Sequence, residues 1–284
     1  AGPVGVEVAR AISMALADEV QTVGTLRARE SVVMRPEIAG RIVHIGFSDG
    51  ARVPQGALLV SLDDSVLAAQ AEQARAELGL ARTSFTRDLA GRNFVSGSAL
   101  DQAAATLKVQ QARLELAEAQ LSKTRIRAPF AGVLGLRNVS VGEFVKDGAE
   151  LVMLEDISSM KVDLRLPERF LGQLRRGQAI AVEVDAFPGR EFVARLDALD
   201  AQVDANGRSL LARGRLENPD GALRSGMFAK ARIVLREKPQ ATVVPEEAIL
   251  PVGGDTFVFR VDEGKAVRTQ VRTGLRLEGK VEIL

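Results

Sequence analysis

The sequence holds no cysteine, no tryptophan and no tyrosine, and a single histidine among its 284 residues. Without cysteine there is no thiol nucleophile and no thiolate metal site, although an oxidising compartment suits that absence as well as a reducing one. One histidine, His44, cannot form the clusters that hold transition metals, and it leaves little choice of general base. The carboxylates are scattered, so no metal site is expected. A Ser-Lys pair is compatible with the sequence, but no spacing points to one. Charge of one sign is missing too. The 38 basic residues stand against 37 acidic ones, and there is no concentrated basic face of the kind nucleic acid requires. No run approaches the roughly 20 apolar residues that span a bilayer. No basic start followed by an apolar core marks an export signal, and the opening Ala1-Gly2-Pro3 reads as a processed or trimmed start. What remains, 46% hydrophobic and 26% charged residues, is the composition of a globular chain with two or more small domains.

An internal repeat organises that chain. Gly40 and Gly132, Gly50 and Gly142, and Gly56 and Gly148 all stand 92 positions apart. The same offset relates Arg35 to Arg127, Ala39 to Ala131, Val53 to Val145, Leu59 to Leu151, Leu62 to Leu154 and Asp64 to Asp156, with no gap. Each copy reads as short strands between glycine turns, the first over Val32–Leu62 and the second over Ile126–Leu154. One copy alone buries little. Two copies pressed together predict a compact β-sandwich.

Between the copies, from Ser65 to about Thr124, the texture changes to Ala, Leu, Gln, Glu and Arg with no proline, all strong helix formers. Leu67, Ala71, Ala74, Leu78, Ala81 and Phe85 recur at alternating steps of four and three. Leu100, Ala103, Leu107, Gln110, Leu114, Ala117 and Leu121 do the same. Each set is a heptad seam, and Gly91 to Gly97 marks a turn between them. Asp63 or Asp64 can cap the first helix and Ser96 or Ser98 the second. The pattern predicts an antiparallel helical hairpin with arms of about 28 residues, roughly 40 Å at about 1.5 Å per residue. Taken alone, such a seam is more often an ordinary two-helix core element. A small sandwich cannot cover two arms of that length, so they are expected to stand out from the body.

From Met160 to about Leu235, short strands and turns at regular spacing predict an antiparallel barrel. Strands are expected at 162–166, 179–185, 192–199, 210–216 and 227–235, with a short helix over Glu168–Leu174 and turns at Pro188-Gly189, Asn206-Gly207 and Asn218–Gly221. A strand near Glu19–Leu26 completes the barrel. Beyond Pro239 a smaller β unit is expected to begin at Val243-Val244-Pro245. It contains a hairpin over Phe257–Val271 and pairs with the N-terminal Val4–Arg10. The terminal Gly279–Leu284 stops mid-pattern, as a truncated end does. Arg175-Arg176 reads as a solvated turn, and the pairs Asp63-Asp64 and Glu246-Glu247 as helix N-terminal charges.

Four stretches carry a family likeness: Arg35–Ile42, Ile126–Val133, Val141–Gly148 and Asn218–Phe228. In that order, and with the nested layout, they resemble the membrane fusion proteins, the HlyD-like periplasmic adaptors, and above all those serving resistance-nodulation-division (RND) efflux pumps. The resemblance implies an elongated, mainly β chain with an inserted α-helical hairpin. It implies a coiled-coil hairpin over 65–124 and a lipoyl-like domain over 33–64 and 125–156. It further implies a β-barrel over 15–32 and 157–237, and an incomplete membrane-proximal β domain over 1–14 and 238–284. It also implies no enzyme activity, a periplasmic location at the inner membrane of a Gram-negative envelope, and a ring of six copies. The partners implied are an inner-membrane RND transporter and an outer-membrane channel protein, met by the hairpin tip. Tip docking in the family goes with an Arg, a Leu four residues on and a Ser seven further. Leu89 and Ser96 hold the last two places. Phe85 stands where the Arg belongs, and Arg87 and Arg92 lie nearby.

Blander and rival readings stand beside this one. Lipoyl-like sandwiches also serve as lipoyl or biotinyl carriers, which need a modifiable lysine on the turn joining the halves. Here the hairpin replaces that turn, so no cofactor is expected. An adaptor for an ABC or major-facilitator exporter shares the same architecture. His44 could sense pH, but a lone strand histidine is more often structural.

Overall fold

The computed structural model describes residues 6–91, 96–204, 207–277 and 279–284. The expected class holds: β structure throughout, with two long helices inserted as a hairpin. The chain divides into two compact units, one of residues 28–160 with 218–224, the other of 1–27, 161–217 and 225–284.

In the first unit, β1 (Ile12–Met34) delivers its last residues to a sandwich. β2 (Gly40–Ile45), β3 (Arg52–Val53) and β4 (Leu58–Leu62) make one half. The helices α1 (Ser65–Ala90) and α2 (Gly97–Ser122) intervene. β5 (Arg125–Arg127), β6 (Gly132–Leu134), β7 (Phe144–Val145) and the start of β8 (Val152–Pro167) make the other half. One sheet runs β5-β4-β2-β7, so both halves contribute to it, and β3 pairs β6 across the other. The 92-residue repeat is written in the hydrogen bonds. The N–H of Gly56 donates to Ala128 O and that of Gly148 to Pro36 O, at 2.8 and 2.9 Å. Arg35 reaches Gly148 O and Arg127 reaches Gly56 O, at 2.8 and 3.0 Å. Each half thus clamps the other at its pseudo-equivalent turn. The turn glycines match as well, with φ of 74° and 79° at Gly50 and Gly56 and 91° and 73° at Gly142 and Gly148, a region that side-chain-bearing residues avoid. Ile42, Leu59 and Leu62 from one half and Leu134, Leu151 and Leu154 from the other fill a single core.

The second unit is built on a closed ring of strands. β1 pairs β12 (Phe228–Pro245), which pairs β9 (Ala179–Val184). β10 (Glu191–Asp204) and β11 (Ser209–Glu217) follow, then β8, which returns to β1. Alternate residues such as Val162, Leu164 and Leu166, or Ile180, Val182 and Val184, point into the barrel and are buried. Closure depends on Gly24, where a Cβ would strike the carbonyl oxygen of Asp163. The expected short helix is present over Glu168–Gln173, as a 3-10 helix. The expected turn at Asn206-Gly207 begins outside the described residues.

Two expectations fail in this unit. Val243–Pro245 is the end of β12, which runs on through Pro239. The pairing with β1 slips between Met14 and Leu16, so Pro239 falls at a bulge where no N–H is needed. The N-terminal pairing is made by Ile12–Met14 against Ala241–Val243. Residues 6–11 lie outside any strand, and the first residues of the expected Val4–Arg10 partner lie outside the described ones.

β13 (Leu250–Val252), β14 (Asp255–Asp262) and β15 (Lys265–Gln270) form a three-stranded meander. β16 (Thr273–Leu277) and β17 (Lys280–Ile283) pair back onto β12. The turn after β14 places Glu263 at φ 48° and Gly264 at φ 77°, the two successive left-handed residues of a tight hairpin.

Candidate docking tip and hairpin edges

Each helix has 26 residues, about 39 Å at 1.5 Å per residue. The seam is where the heptads put it. Ala71, Ala74 and Ala81 are buried, and Leu67, Leu78 and Phe85 half-buried, against the half-buried seam of α2. Two ion pairs cross it, Arg75–Glu118 at 2.8 Å and Arg113–Glu77 at 3.8 Å. Both pairs are exposed, so they fix register more than stability. The base is tied to the sandwich by Lys123–Glu37 at 3.1 Å and Arg125–Asp64 at 3.4 Å. Asp63 Oδ1 accepts the Ser65 N–H at 3.1 Å, while the Asp64 side chain makes no cap. Hydrogen bonds from Ser65 hold the Asp63 pKa below the ordinary carboxylate value.

Each helix carries a second heptad stripe that sequence reasoning missed. Val66, Ala69, Gln73, Ala76, Leu80 and Thr83 run along α1, and Ala105, Val109, Ala112, Leu116 and Ala119 along α2; every one is exposed. At about 100° per residue these stripes lie nearly opposite the seam, so they form the two outer edges of the hairpin. The signal was present in the sequence. A four-three walk begun one residue before Leu67 finds it.

At the tip, Arg87 and Leu89 lie exposed in the last turn of α1, Leu89 to 43%. Arg87 has no ion pair among the described residues. Ser96 is the N-cap of α2; its Oγ accepts the Ala99 N–H at 3.3 Å and lies 3.2 Å from Ser98 Oγ. Ser96 therefore has a structural duty whatever else it does. Arg92 and most of the Gly91–Gly97 turn lie outside the described residues. Arg87, Leu89 and Ser96 thus share the far end of the hairpin, an apolar side chain beside a cation and a hydroxyl.

Comparison with known proteins places this architecture. The family model described as RND MFP, barrel-sandwich hybrid domain matches residues 30–156. The one described as CusB-like, beta-barrel domain matches residues 162–237. The two run on from one another across both halves of the repeat, the hairpin and the barrel strands. The chain belongs to the membrane fusion proteins. An uncharacterized protein of Haemophilus influenzae is 34% identical to this membrane fusion protein over 81% of the chain, which spans 61% of that relative's length. The multidrug resistance protein MdtA of Klebsiella pneumoniae is 29% identical, with 98% of this chain and 74% of MdtA covered. Among solved structures, a MacA-MexA chimera with the Pseudomonas aeruginosa MexA α-hairpin superposes with a TM-score of 0.75 at 21% identity, covering 83% of this chain and 87% of the chimera. At that identity the likeness is one of fold.

A membrane fusion protein is an adaptor, and its role is non-enzymatic. No helix among the described residues is long and apolar enough to cross a membrane. Phe85 belongs to the seam and is half-buried, so it helps to hold α1 against α2 and presents no charge.

Proposed function

We propose that this chain is the periplasmic adaptor of a tripartite RND-type efflux system, joining an inner-membrane RND transporter to an outer-membrane channel for export of drugs or other toxic compounds. The observation that carries this reading is the single core shared by two half-sandwiches, with a long hairpin sent out between them. The RND wording of the barrel-sandwich family model and the multidrug resistance relatives support the pump class and the cargo. Six copies form a ring. Residues 65–124 reach the channel protein; 33–64 with 125–156 line the passage. The barrel (15–32, 157–237) and the membrane-proximal part (1–14, 238–284) face the transporter at the periplasmic side of the inner membrane. Docking uses Leu89 and Ser96, with Arg87 or Arg92 supplying the charge that Phe85 lacks.

Leu89→Asp is expected to reduce drug resistance to that of a deletion strain while leaving the melting temperature unchanged, because Leu89 is outside the core. Ser96→Asp keeps an N-cap acceptor and changes only the tip's charge, so it should impair export without unfolding α2. Normal export by both variants would remove tip docking. Co-purification of an ABC or major-facilitator exporter in place of an RND transporter would overturn the pump class.

A further inference from the structure

We infer that the hairpin has a joint partway along its length, at Gly79 on α1 and Gln110 on α2, beyond which its distal half opens and tilts as a unit of its own while the proximal half stays fixed. Gly79 is the one glycine in the interior of either helix, and after proline no residue costs a helix interior more. Its carbonyl also accepts the Thr83 hydroxyl at 2.9 Å, a back-bond that weakens and bends helices. Across the seam stands Gln110, whose buried Oε1 has no hydrogen-bond partner among the described residues. Counting from Arg75–Glu118 sets Gln110 opposite Thr83, and counting from Glu77–Arg113 sets it opposite Leu80. By either count it faces the turn of α1 that starts at Gly79. Two faults in two helices, one of backbone and one of packing, thus share one level.

What holds the hairpin together changes at that level. Toward the base, Arg75–Glu118 and Arg113–Glu77 cross the seam, and Lys123–Glu37 and Arg125–Asp64 fix the helices to the sandwich. Gln73 and Gln111 donate to Glu77 and Glu115 one turn on, at 3.0 and 3.3 Å, and Ala71 and Ala74 are buried. Toward the tip, Arg82, Arg87, Asp88, Asp101 and Lys108 make no ion pair among the described residues. Past Ala81 no described residue of α1 is buried, and α2 offers none. All three threonines of the two helices lie here too. Thr86 and Thr106 bond back to Arg82 O and Gln102 O as Thr83 does to Gly79 O. Local stability follows the density of buried contacts, so residues 80–90 and 97–109 are the low-stability end. They amount to about 12 residues of each helix, roughly 18 Å, and they carry Arg87 and Leu89, with Ser96 at the cap. A tip on such a segment tilts to meet its docking surface without disturbing the base, whichever protein supplies that surface.

Hydrogen exchange of the full chain, read peptide by peptide by mass spectrometry, tests the joint. Amides of residues 80–90 and 101–109 are expected to exchange together, about tenfold or more faster than those of 69–78 and 111–121, with a step at Gly79 and Gln110. Protection that rises smoothly from tip to base would mean simple fraying and would overturn the joint, as would uniform protection along both helices. Gly79→Ala combined with Gln110→Leu removes both faults, and each change favours the helix, so the variant is expected to fold. It should slow exchange of the distal amides by about tenfold and leave the proximal ones unchanged. No slowing, or equal slowing in both halves, would show that these two residues do not make the joint.

Discussion

Glu282 is buried with its carboxylate fully engaged. Oε1 accepts from Lys238 Nζ at 2.6 Å and Oε2 from the Leu275 N–H at 3.1 Å. The Lys238 hydrogen bond, with the Leu275 N–H, holds its pKa below the ordinary carboxylate value against the opposing effect of burial. A folded-state pKa below the unfolded one contributes stability in full above the unfolded value, about 4.3 for Glu. That contribution is lost as pH falls through the lowered folded value. Glu282→Gln is therefore expected to be less stable than the parent near neutral pH and to lose less on acidification. Melting temperatures taken from about pH 6 to about pH 2 test this, and parallel acid limbs would rule it out. The same scale shows what a motif conceals. Asn218 reads in the sequence as the start of a turn, yet it is only 2% exposed. Its amide donates to Ile157 O and Leu223 O and accepts the Leu223 N–H. The partner at Ile157 is 61 positions away, and no local pattern could have named it.

At the scale of the element, the hairpin was the most legible part, because a heptad seam is a local statement made many times over. Gln110 is the one amide in it. Its Oε1 is buried and has no hydrogen-bond partner among the described residues. An unpaired acceptor in an apolar seam costs on the order of 1–3 kcal/mol. Gln110→Leu removes it and adds apolar contact, so the variant is expected to be more stable by about 1 kcal/mol or more, read as a raised denaturation midpoint. A lower midpoint would mean that the amide finds a partner in solution. The strands were less legible. The alternation around Val162–Leu166 marks a barrel wall, but the sequence ends the strand of β12 at residue 235 and starts a new unit beyond Pro239, because a proline ends a regular ladder. Only the register slip opposite Met14 and Leu16 shows why this one does not. The length of β1 was hidden for a related reason. Its 23 residues serve two units in turn, so no single periodicity runs through them. The place of Leu89 and Ser96 at the far end of the hairpin follows from the two helices, and so does the cap that Ser96 makes on α2.

At the scale of the molecule, the relation between sandwich and hairpin is one of carrier and passenger, and that can be tested by subtraction. The core of the sandwich, from Met34 through Leu154, contains no residue of α1 or α2. The chain leaves and re-enters at neighbouring points, since the Leu62 N–H donates to Thr124 O at 2.8 Å. A short Gly-Ser linker in place of residues 65–122 therefore spans the gap without strain, and a shorter loop costs less to close than a long one. The reciprocal clamps between Arg35 and Gly148 and between Arg127 and Gly56 stay in place. The shortened chain is expected to unfold cooperatively at a temperature close to that of the parent, while the proposed export function falls to that of a deletion strain. Loss of cooperative unfolding would mean that the two half-sandwiches need the hairpin to find each other. Retained export would overturn the proposed contact of the hairpin with an outer-membrane channel.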